Sequence, residues 1–507
     1  MRVSIFGDLW LVLFLTVDGS ALKIAHKILM KIHSSLTVLL AILFTCLLPS
    51  NAAAESTTTK PNILYIMADD LGKEWISCYG AEDIETPNID ALAAGGMKFN
   101  NAYSMPACTP SRTTLLTGKY PWRTGWANHW DVPRWGVGYF DWKKKENTTF
   151  ARLMKDLGYT TAAAGKWQIN DFRIEPEAMK KHGFDDWAMW TGAESSPDEE
   201  HEKKSTRRYW DPYIHTKEGS KTYKGKYGPD LYTDHLIQFM RKNKEQPMCM
   251  YFPMAQPHTP VAHTPDEPDV KSVLDRHKAM VRYIDKMVGQ LVKEIDDLGI
   301  RDRTMVIFTT DNGSAPPPRG VIGRRNGREV VGAKGTEKEA GVCAPFIVNC
   351  PGLVAAGVES DALTDFSDML PTFVELGGGE LPKDLVVDGS SIAPYLLGKT
   401  KDTERKWIMA LGYGSAKLTK DGIRPTKKFS TRVIRDQRFK VWVSNEKKII
   451  RLHDLKSDPW EENNLIGSEL ALHQKALQKF QDVVDSLPDQ DAYPSYEPRA
   501  ANAWDRK

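Results

Sequence analysis

The sequence predicts an α/β protein: a large, mostly parallel sheet flanked by helices, followed by a smaller C-terminal antiparallel sheet with one helix. Three observations predict it. The runs NILYIMA and TMVIFTT are continuously apolar, the pattern of strands covered on both faces. Amphipathic helical spacing recurs between such runs, at 230–243 and 272–299. Beyond residue 405 the pattern changes to short alternating segments, RVIRDQRFKVWVS and KIIRLHDL, with a helix expected over about 467–486.

The elements follow in order. PNILYIMADDLG reads as a strand that ends abruptly in two acids and a glycine. NIDALAAG (88–95) reads as a short helix with a glycine stop, and another short helical piece is expected to begin at Leu115. A helix over Thr148–Leu157 leads into the strand-like YTTAAAGKW. The helix at 272–299 ends on KEIDDLG, and TMVIFTTDNG then repeats the opening design, a strand running into an acid, an asparagine and a glycine. APFIVNCPG is a further strand closed by Pro-Gly. A polar, glycine-rich linker around Gly377–Asp384 separates a main domain, 60–385, from a smaller subdomain, 400–490. No internal repeat is visible.

At 507 residues and 41% hydrophobic, the chain can bury a large core. Its net charge of +2 excludes a general nucleic-acid binder. Six cysteines, at 46, 78, 108, 249, 343 and 350, form neither a disulfide scaffold nor a CxxC zinc pattern. Cys343 and Cys350 are near enough in sequence to pair across a loop, and equally read as two small buried residues. Residues 1–54 read as a leader. From Met30 a basic start, an apolar run from Leu36 to Leu48 and the small residues Ala52–Ala54 make a secretory signal over 30–54. The run is too short for a stable membrane span, and Leu-Phe-Thr-Cys46 is a poor lipid-attachment site, so export without an anchor is expected, to a periplasmic or secreted location. A second apolar run, FGDLWLVLFLTV, lies upstream of that signal and reads as an early start site or an extended leader.

The chemistry is expected where the strands end, because ligands of parallel sheets sit beyond the carboxyl edge. Asp69-Asp70 and Asp311-Asn312 each close an apolar strand. Three carboxylates and a carboxamide make a hard oxygen cage that suits Ca²⁺ or Mg²⁺ rather than zinc. Either pair alone reads as ordinary turn acids.

Further motifs stand in a fixed order: Cys108-Thr-Pro-Ser-Arg112 with Leu116-Thr-Gly118, Gly165-Lys166-Trp167, Pro257-His258-Thr-Pro260, Gly332-Ala-Lys334-Gly-Thr336, and Leu455-Lys-Ser-Asp-Pro459 before Glu462-Asn-Asn-Leu465. With Pro61-Asn-Ile-Leu and Thr310-Asp311-Asn312-Gly313, this set resembles the formylglycine-dependent (type I) sulfatases of the alkaline-phosphatase-like superfamily over about residues 60–465. The resemblance implies that 60–385 is the sulfatase catalytic domain. It implies that a formylglycine-generating maturation enzyme converts Cys108 to formylglycine (3-oxoalanine), whose hydrate attacks sulfur with one hydroxyl and expels sulfate with the second. Asp69, Asp70, Asp311 and Asn312, with residue 108, would hold Ca²⁺. Arg112 would support the aldehyde hydrate and the ligating carboxylates. Lys166 and Lys334 would contact sulfate, and His258 would hydrogen-bond sulfate or protonate the leaving oxygen. One position departs from the family. Its usual Gly-Lys-Trp-His reads Gly165-Lys166-Trp167-Gln168 here, and glutamine is no base near neutral pH.

Two features bear on substrate. Trp122, Trp126, Trp130, Trp135, Tyr139, Phe140 and Trp142 crowd the segment after the nucleophile motif. Arg319 to Arg328, including Arg324 and Arg325, reads as a flexible basic loop. Aromatic faces stack on sugars and guanidinium groups pair with sulfates, which points to a sulfated glycan substrate. The same residues also read as core and solvated loop. Three alternatives remain at this level: an arylsulfatase acting on small sulfate esters, a phosphonate monoester or phosphodiester hydrolase using the same site, and a catalytically weak exported glycan-binding protein.

Overall fold

The computed structural model describes residues 60–128, 148–172, 175–190, 208–412, 414, 416–419 and 422–493. The leader and the aromatic residues at 130, 135, 139, 140 and 142 lie outside them. Lys60–Lys507 forms one compact unit.

Its main sheet has ten strands. In chain order these are β1 (Asn62–Ala68), β2 (Met97–Tyr103), β3 (Thr160–Lys166), β4 (Asp186–Trp190), β5 (Tyr213–Thr216), β6 (Gly219–Thr222), β7 (Met248–Pro253) and β8 (Thr304–Thr310). After a small hairpin of β9 (Gly323–Arg325) and β10 (Arg328–Val330) come β11 (Cys343–Asn349) and β12 (Val358–Asp365). The order across the sheet is β12-β2-β11-β8-β1-β7-β3-β4-β5-β6. The centre, β8-β1-β7-β3-β4, is parallel throughout, whereas β11 runs antiparallel to β2 and β8, and β5 and β6 close one edge as antiparallel strands.

The continuous apolar runs are explained by burial on both faces. Along β1, Ile63, Tyr65 and Met67 enter one core, with Leu115, Phe150 and Phe373 from the helices Cys108–Thr117, Phe150–Asp156 and Met369–Leu376. Leu64, Ile66 and Ala68 enter the other, with Ile89, Leu236 and Met287 from Pro87–Ala94, Gly228–Asn243 and Val273–Asp297. Ser272 caps the last of these by accepting from the Asp275 N–H, the expected device at a helix start.

After the two-stranded β14 (Ala416–Thr419) and β15 (Gly422–Pro425), the C-terminal segments form a four-stranded antiparallel sheet. Its order is β13 (Ile408–Leu411), β16 (Arg432–Arg435), β17 (Phe439–Val443), β18 (Ile449–Asp454). The helix Ala471–Ser486 packs on it through Ala476, Phe480 and Val484, in one core with Tyr103 and Val342 of the main fold. Among the described residues no helix is long and apolar enough to cross a membrane.

Three expectations are corrected. Helix starts at Cys108, not Leu115, because Ala107 is extended and the CTPSR segment itself forms the first turns. Cys343 and Cys350 are both free, since they sit at opposite ends of β11, roughly 20 Å apart along an extended strand. The basic segment after Pro318 is not a structureless loop. Asn326 and Gly327, at φ of 51° and 77°, make the tight turn of the β9–β10 hairpin.

Candidate active site

Because β8, β1, β7 and β3 are parallel, their carboxyl ends deliver Asp311-Asn312, Asp69-Asp70, His258 and Lys166 to one edge of the sheet. Asp69 and Asp70 would face opposite sides if the strand continued. Instead Asp70 takes a left-handed backbone, at φ 64°, which brings both carboxylates to one place. Lys166 depends on a close approach: a Cβ at Gly165, whose φ is 126°, would lie 2.0 Å from the Pro253 carbonyl oxygen of β7.

Cys108 opens its helix and is wholly buried against these acids. Its Sγ lies 3.3 Å from Asp69 Oδ1, 3.9 Å from Asp70 Oδ1 and 3.4 Å from Lys334 Nζ. One helical turn on, Arg112 is 1% exposed and donates through Nη2 to Asp311 Oδ2 at 2.7 Å and through Nη1 to the Lys166 carbonyl at 2.7 Å. Ser111 holds the same junction, its one hydroxyl proton within reach of the carbonyl oxygens of Ala107 and Asp311, 2.9 and 2.5 Å away. Lys166 Nζ reaches Asp69 Oδ2 at 2.6 Å, and Lys334 Nζ reaches Asp70 Oδ1 at 2.6 Å. His258 Nε2 stands 3.6 Å from Asp70 Oδ2.

The electrostatics follow from burying so many charges side by side. Burial alone would raise Asp69, but the charges of Lys166, Arg112 and Lys334 overcome it and hold the carboxyl well below its usual range. Asp311 is pushed up to about 7, first by burial and then by Asp69. Burial, then Asp311 and Asp69, push the Cys108 thiol far up. His258 is held well below the ordinary histidine value by burial and by Lys334.

The oxygen donors of this group fit a hard cation, with a sulfur and an imidazole nitrogen beside them. Asp69, Asp70, Cys108 and His258 each offer one ligand atom within 4.8 Å of the others. Asn312 lies beside them, its Nδ2 donating to Asp70 Oδ1 at 2.7 Å. Its Oδ1 is buried without a hydrogen-bond partner among the described residues, a lone acceptor that a cation would satisfy. Asp311 sits at the rear of the group, one oxygen taken by Arg112 and the other accepting from the Asp70 N–H at 3.1 Å.

Of the residues singled out in the sequence, the structure brings together Asp69, Asp70, Cys108, Arg112, Lys166, His258, Asp311, Asn312 and Lys334. Gln168 is buried two residues beyond Lys166 on a left-handed backbone, at φ 60°. Arg324 and Arg325 have their polar contacts elsewhere, with Glu82 and with the Tyr79 carbonyl. Arg325 lines a cavity of about 1100 Å³ with Lys73, Glu74, Glu339, Arg435 and Trp460. None of the clustered residues lines that cavity, so donor chemistry, not cavity size, locates the candidate site. Trp126 is buried in the core, and Trp122 lies under the Arg123 guanidinium at 4.2 Å. Sequence reasoning missed Arg208, whose Nη1 lies 3.0 Å from His258 Nδ1, and Tyr209, whose hydroxyl donates to the His258 carbonyl at 2.6 Å. Neither belongs to a motif.

Comparison with protein-family models matches Sulfatase over residues 61–379 and N-sulphoglucosamine sulphohydrolase, C-terminal, over residues 334–487. The chain is 29% identical over 452 residues to steryl-sulfatase of Rattus norvegicus, covering 72% of this chain and 75% of that protein. It is 28% identical over 500 residues to N-acetylgalactosamine-6-O-sulfatase of Bacteroides thetaiotaomicron, covering 84% and 93%. The crystal structure of Ps i-CgsB in complex with k-i-k-neocarrahexaose superposes with a TM-score of 0.69 at 26% identity, covering 86% of this chain and 95% of that one.

Proposed function

The chain belongs to the sulfatase family and is a sulfuric ester hydrolase; on that premise we propose that it removes sulfate from sulfated carbohydrates, using a formylglycine made from Cys108 beside a bound Ca²⁺. The observation that carries this reading is the position of Cys108 Sγ between Asp69 Oδ1 and Lys334 Nζ, 3.3 and 3.4 Å away. A nucleophile is there set between a cation-binding carboxylate and a charge for the sulfate oxygens. The carbohydrate class is supported by the relatives: one is named for a sulfated amino sugar and a structural neighbour is in complex with a neocarrahexaose.

Asp69, Asp70, Asp311 and Asn312, with the modified residue 108, would hold the ion; Ca²⁺ is the choice by family resemblance, and Mg²⁺ fits the same oxygen donors. When bound, the ion supplies a Lewis acid that polarises a sulfate oxygen and favours ionisation of a neighbouring hydroxyl. A formylglycine hydrate at position 108 would supply two hydroxyls in place of the thiol, one to displace the alcohol from sulfur and one to release the sulfate as the aldehyde re-forms. Lys166 and Lys334 carry fixed charge to the sulfate oxygens, where charge builds up in the transition state. Arg112 holds Asp311 and the end of β3 in register, so that acids and lysine keep one geometry. His258 presents Nε2 on the same side.

Maturation and export are parts of the same proposal. Cys108, Thr109, Pro110, Ser111 and Arg112 are all buried, so a formylglycine-generating enzyme would read them before the chain folds. The secretory signal at 30–54 would place folding after export or within a secretory compartment. Residues 60–385 would form the catalytic domain and 400–490 its smaller subdomain.

The test pairs chemistry with mass. Matched sulfate and phosphate esters and sulfated oligosaccharides are offered to the purified protein, and the peptide containing residue 108 is weighed intact. Aldehyde at 108 with faster release from sulfate esters is the expected result. A faster rate on the phosphate esters would turn the assignment to phosphoester chemistry, and no gain from sulfated oligosaccharides over a small aryl sulfate would remove the carbohydrate class.

Gln168 supplies a second prediction. Glutamine cannot accept the proton that the family's histidine takes at this position. Gln168→His should raise multiple-turnover kcat on the order of 10²-fold, the usual contribution of a positioned base, while the first turnover changes little. Histidine also tolerates the left-handed backbone better than most side chains. Equal steady-state rates in both proteins would show that the chain already has another base.

A further inference from the structure

We propose that Arg208 is the positioning residue of His258: its guanidinium fixes Nδ1 of the imidazole as a hydrogen-bond acceptor and thereby presents Nε2–H, as a donor, to the bound sulfate ester. The donor role rests on the sulfatase reading above; the fixing of the tautomer does not.

The geometry is specific. Arg208 Nη1 lies 3.0 Å from His258 Nδ1, and Nη2 donates to the Thr259 carbonyl oxygen at 2.7 Å. The two contacts form a clamp across consecutive residues. Arg208 is 4% exposed and its guanidinium packs near the rings of Trp190 and Tyr209, at 5.1 and 5.4 Å, so little freedom remains to it. Tyr209 secures the same turn from behind, its one hydroxyl proton shared between the carbonyl oxygens of Ala255 and His258, 2.7 and 2.6 Å away. On its other side the imidazole turns Nε2 toward Asp70 Oδ2, 3.6 Å away.

One contact pulls the other way. The Thr259 carbonyl oxygen is 2.6 Å from Nδ1, and alone it would favour a proton there. Arginine settles the competition because guanidinium has only donors and does not lose its charge. A proton on Nδ1 would face an N–H of the guanidinium at 3.0 Å, whereas an Nδ1 lone pair receives a charge-assisted bond, roughly twice as strong as a neutral one. The Thr259 oxygen keeps its bond from Nη2, and the 2.6 Å contact between it and an unprotonated Nδ1, two acceptors, has to open by a few tenths of an ångström.

The consequence is chemical. An imidazole with Nε2–H and an occupied Nδ1 is neutral, and it acts by donating a hydrogen bond to a developing negative oxygen rather than by giving up a proton. Neutral imidazole used in this way is a known catalytic device. Between the two roles that sequence leaves to His258, Arg208 selects the hydrogen bond.

The experiment has two arms. ¹⁵N spectra of the His258 ring are compared in the wild-type protein and Arg208→Met, and sulfate release is measured on phenyl sulfates of graded leaving-group pKa. We expect Nδ1 unprotonated and Nε2 protonated in the wild type, and a proton on Nδ1 in Arg208→Met. That variant should lose about 10²-fold in kcat with a small change in KM, most severely on the poorest leaving groups, as when one donor to a developing oxyanion is lost. Arg208→Lys, which keeps a charged donor, should recover part of both signals. A protonated Nδ1 in the wild type overturns the proposal, as does an unaltered leaving-group dependence in both variants. The wild-type spectrum decides even if Arg208→Met does not fold. If the wild type shows the expected tautomer but hydrolyses no sulfate ester, the sulfatase reading fails and the role of Arg208 stands.

Discussion

Cys108→Ala should abolish sulfate-ester hydrolysis, with a loss of at least about 10⁵-fold in kcat, the scale seen when a covalent nucleophile is removed. Alanine leaves nothing at 108 to oxidise, and the Lys334 and Asp69 atoms 3.4 and 3.3 Å from Sγ then face an empty position. The fold should survive, because the change deletes one buried sulfur and costs on the order of 1 kcal/mol. Substrate binding should also survive, since Lys166, Lys334 and His258 are untouched. Rates on an aryl sulfate, equilibrium binding of a slowly hydrolysed sulfate ester and thermal unfolding together check this. A variant retaining more than about a hundredth of wild-type activity would place the nucleophile elsewhere.

The sequence carried which residues meet at the sheet edge further than it carried the direction of the strands. Strand ends were legible because each acid pair interrupts a fully apolar run, and burial on both faces is what makes such runs continuous. The i, i+4 spacing of Cys108 and Arg112 is that of one side of a helix, yet the pattern predicts helix only from Leu115; the structure begins it at Cys108 and has both residues in its first turns. Strand direction was not legible. APFIVN has the same apolar character as the parallel strands, yet β11 runs antiparallel between β2 and β8, because periodicity reports burial and is blind to polarity along the chain.

Arg208 was invisible for a related reason. No residue near it in sequence carries chemistry, and its value comes from meeting His258 fifty positions later. The hairpin at Arg324–Arg328 could have been read: Asn326-Gly327 between short strands is a strong turn signal, and counting arginines drew attention from it. Once folded, those arginines are tied to Glu82, Tyr79 and Glu462, which leaves less of the basic surface that the composition promised.

Burial also separates two carboxylates that a sequence treats alike. Asp311→Ala and Asp70→Ala should both remove activity, since each takes an oxygen donor from the cage, but their effects on stability should differ. Asp311 is fully buried and pairs with Arg112, whose side chain is 1% exposed; deleting the acid leaves the guanidinium with only a longer contact, to Asp69 at 3.9 Å, as counter-charge in the interior. That change costs about 3–5 kcal/mol, the usual consequence of breaking a buried pair. Asp70 pairs with Lys334, whose side chain is 17% exposed, and with His258 at 23%, so water can take over part of the solvation of either partner. The loss in Asp70→Ala should therefore be distinctly smaller. Urea unfolding of both variants, each measured with excess Ca²⁺ and with chelator, separates the two contributions. Wild type should gain stability from Ca²⁺ by mass action, and neither variant should gain as much. Asp311→Ala should remain the less stable of the pair in chelator, because the partner it weakens, Arg112, is buried whereas Lys334 and His258 are part-exposed. Equal stabilities in chelator would mean that the Arg112–Asp311 pair contributes no more than its exposed counterpart, and that the rear of the site is held by the Ser111 and Lys166 backbone contacts instead.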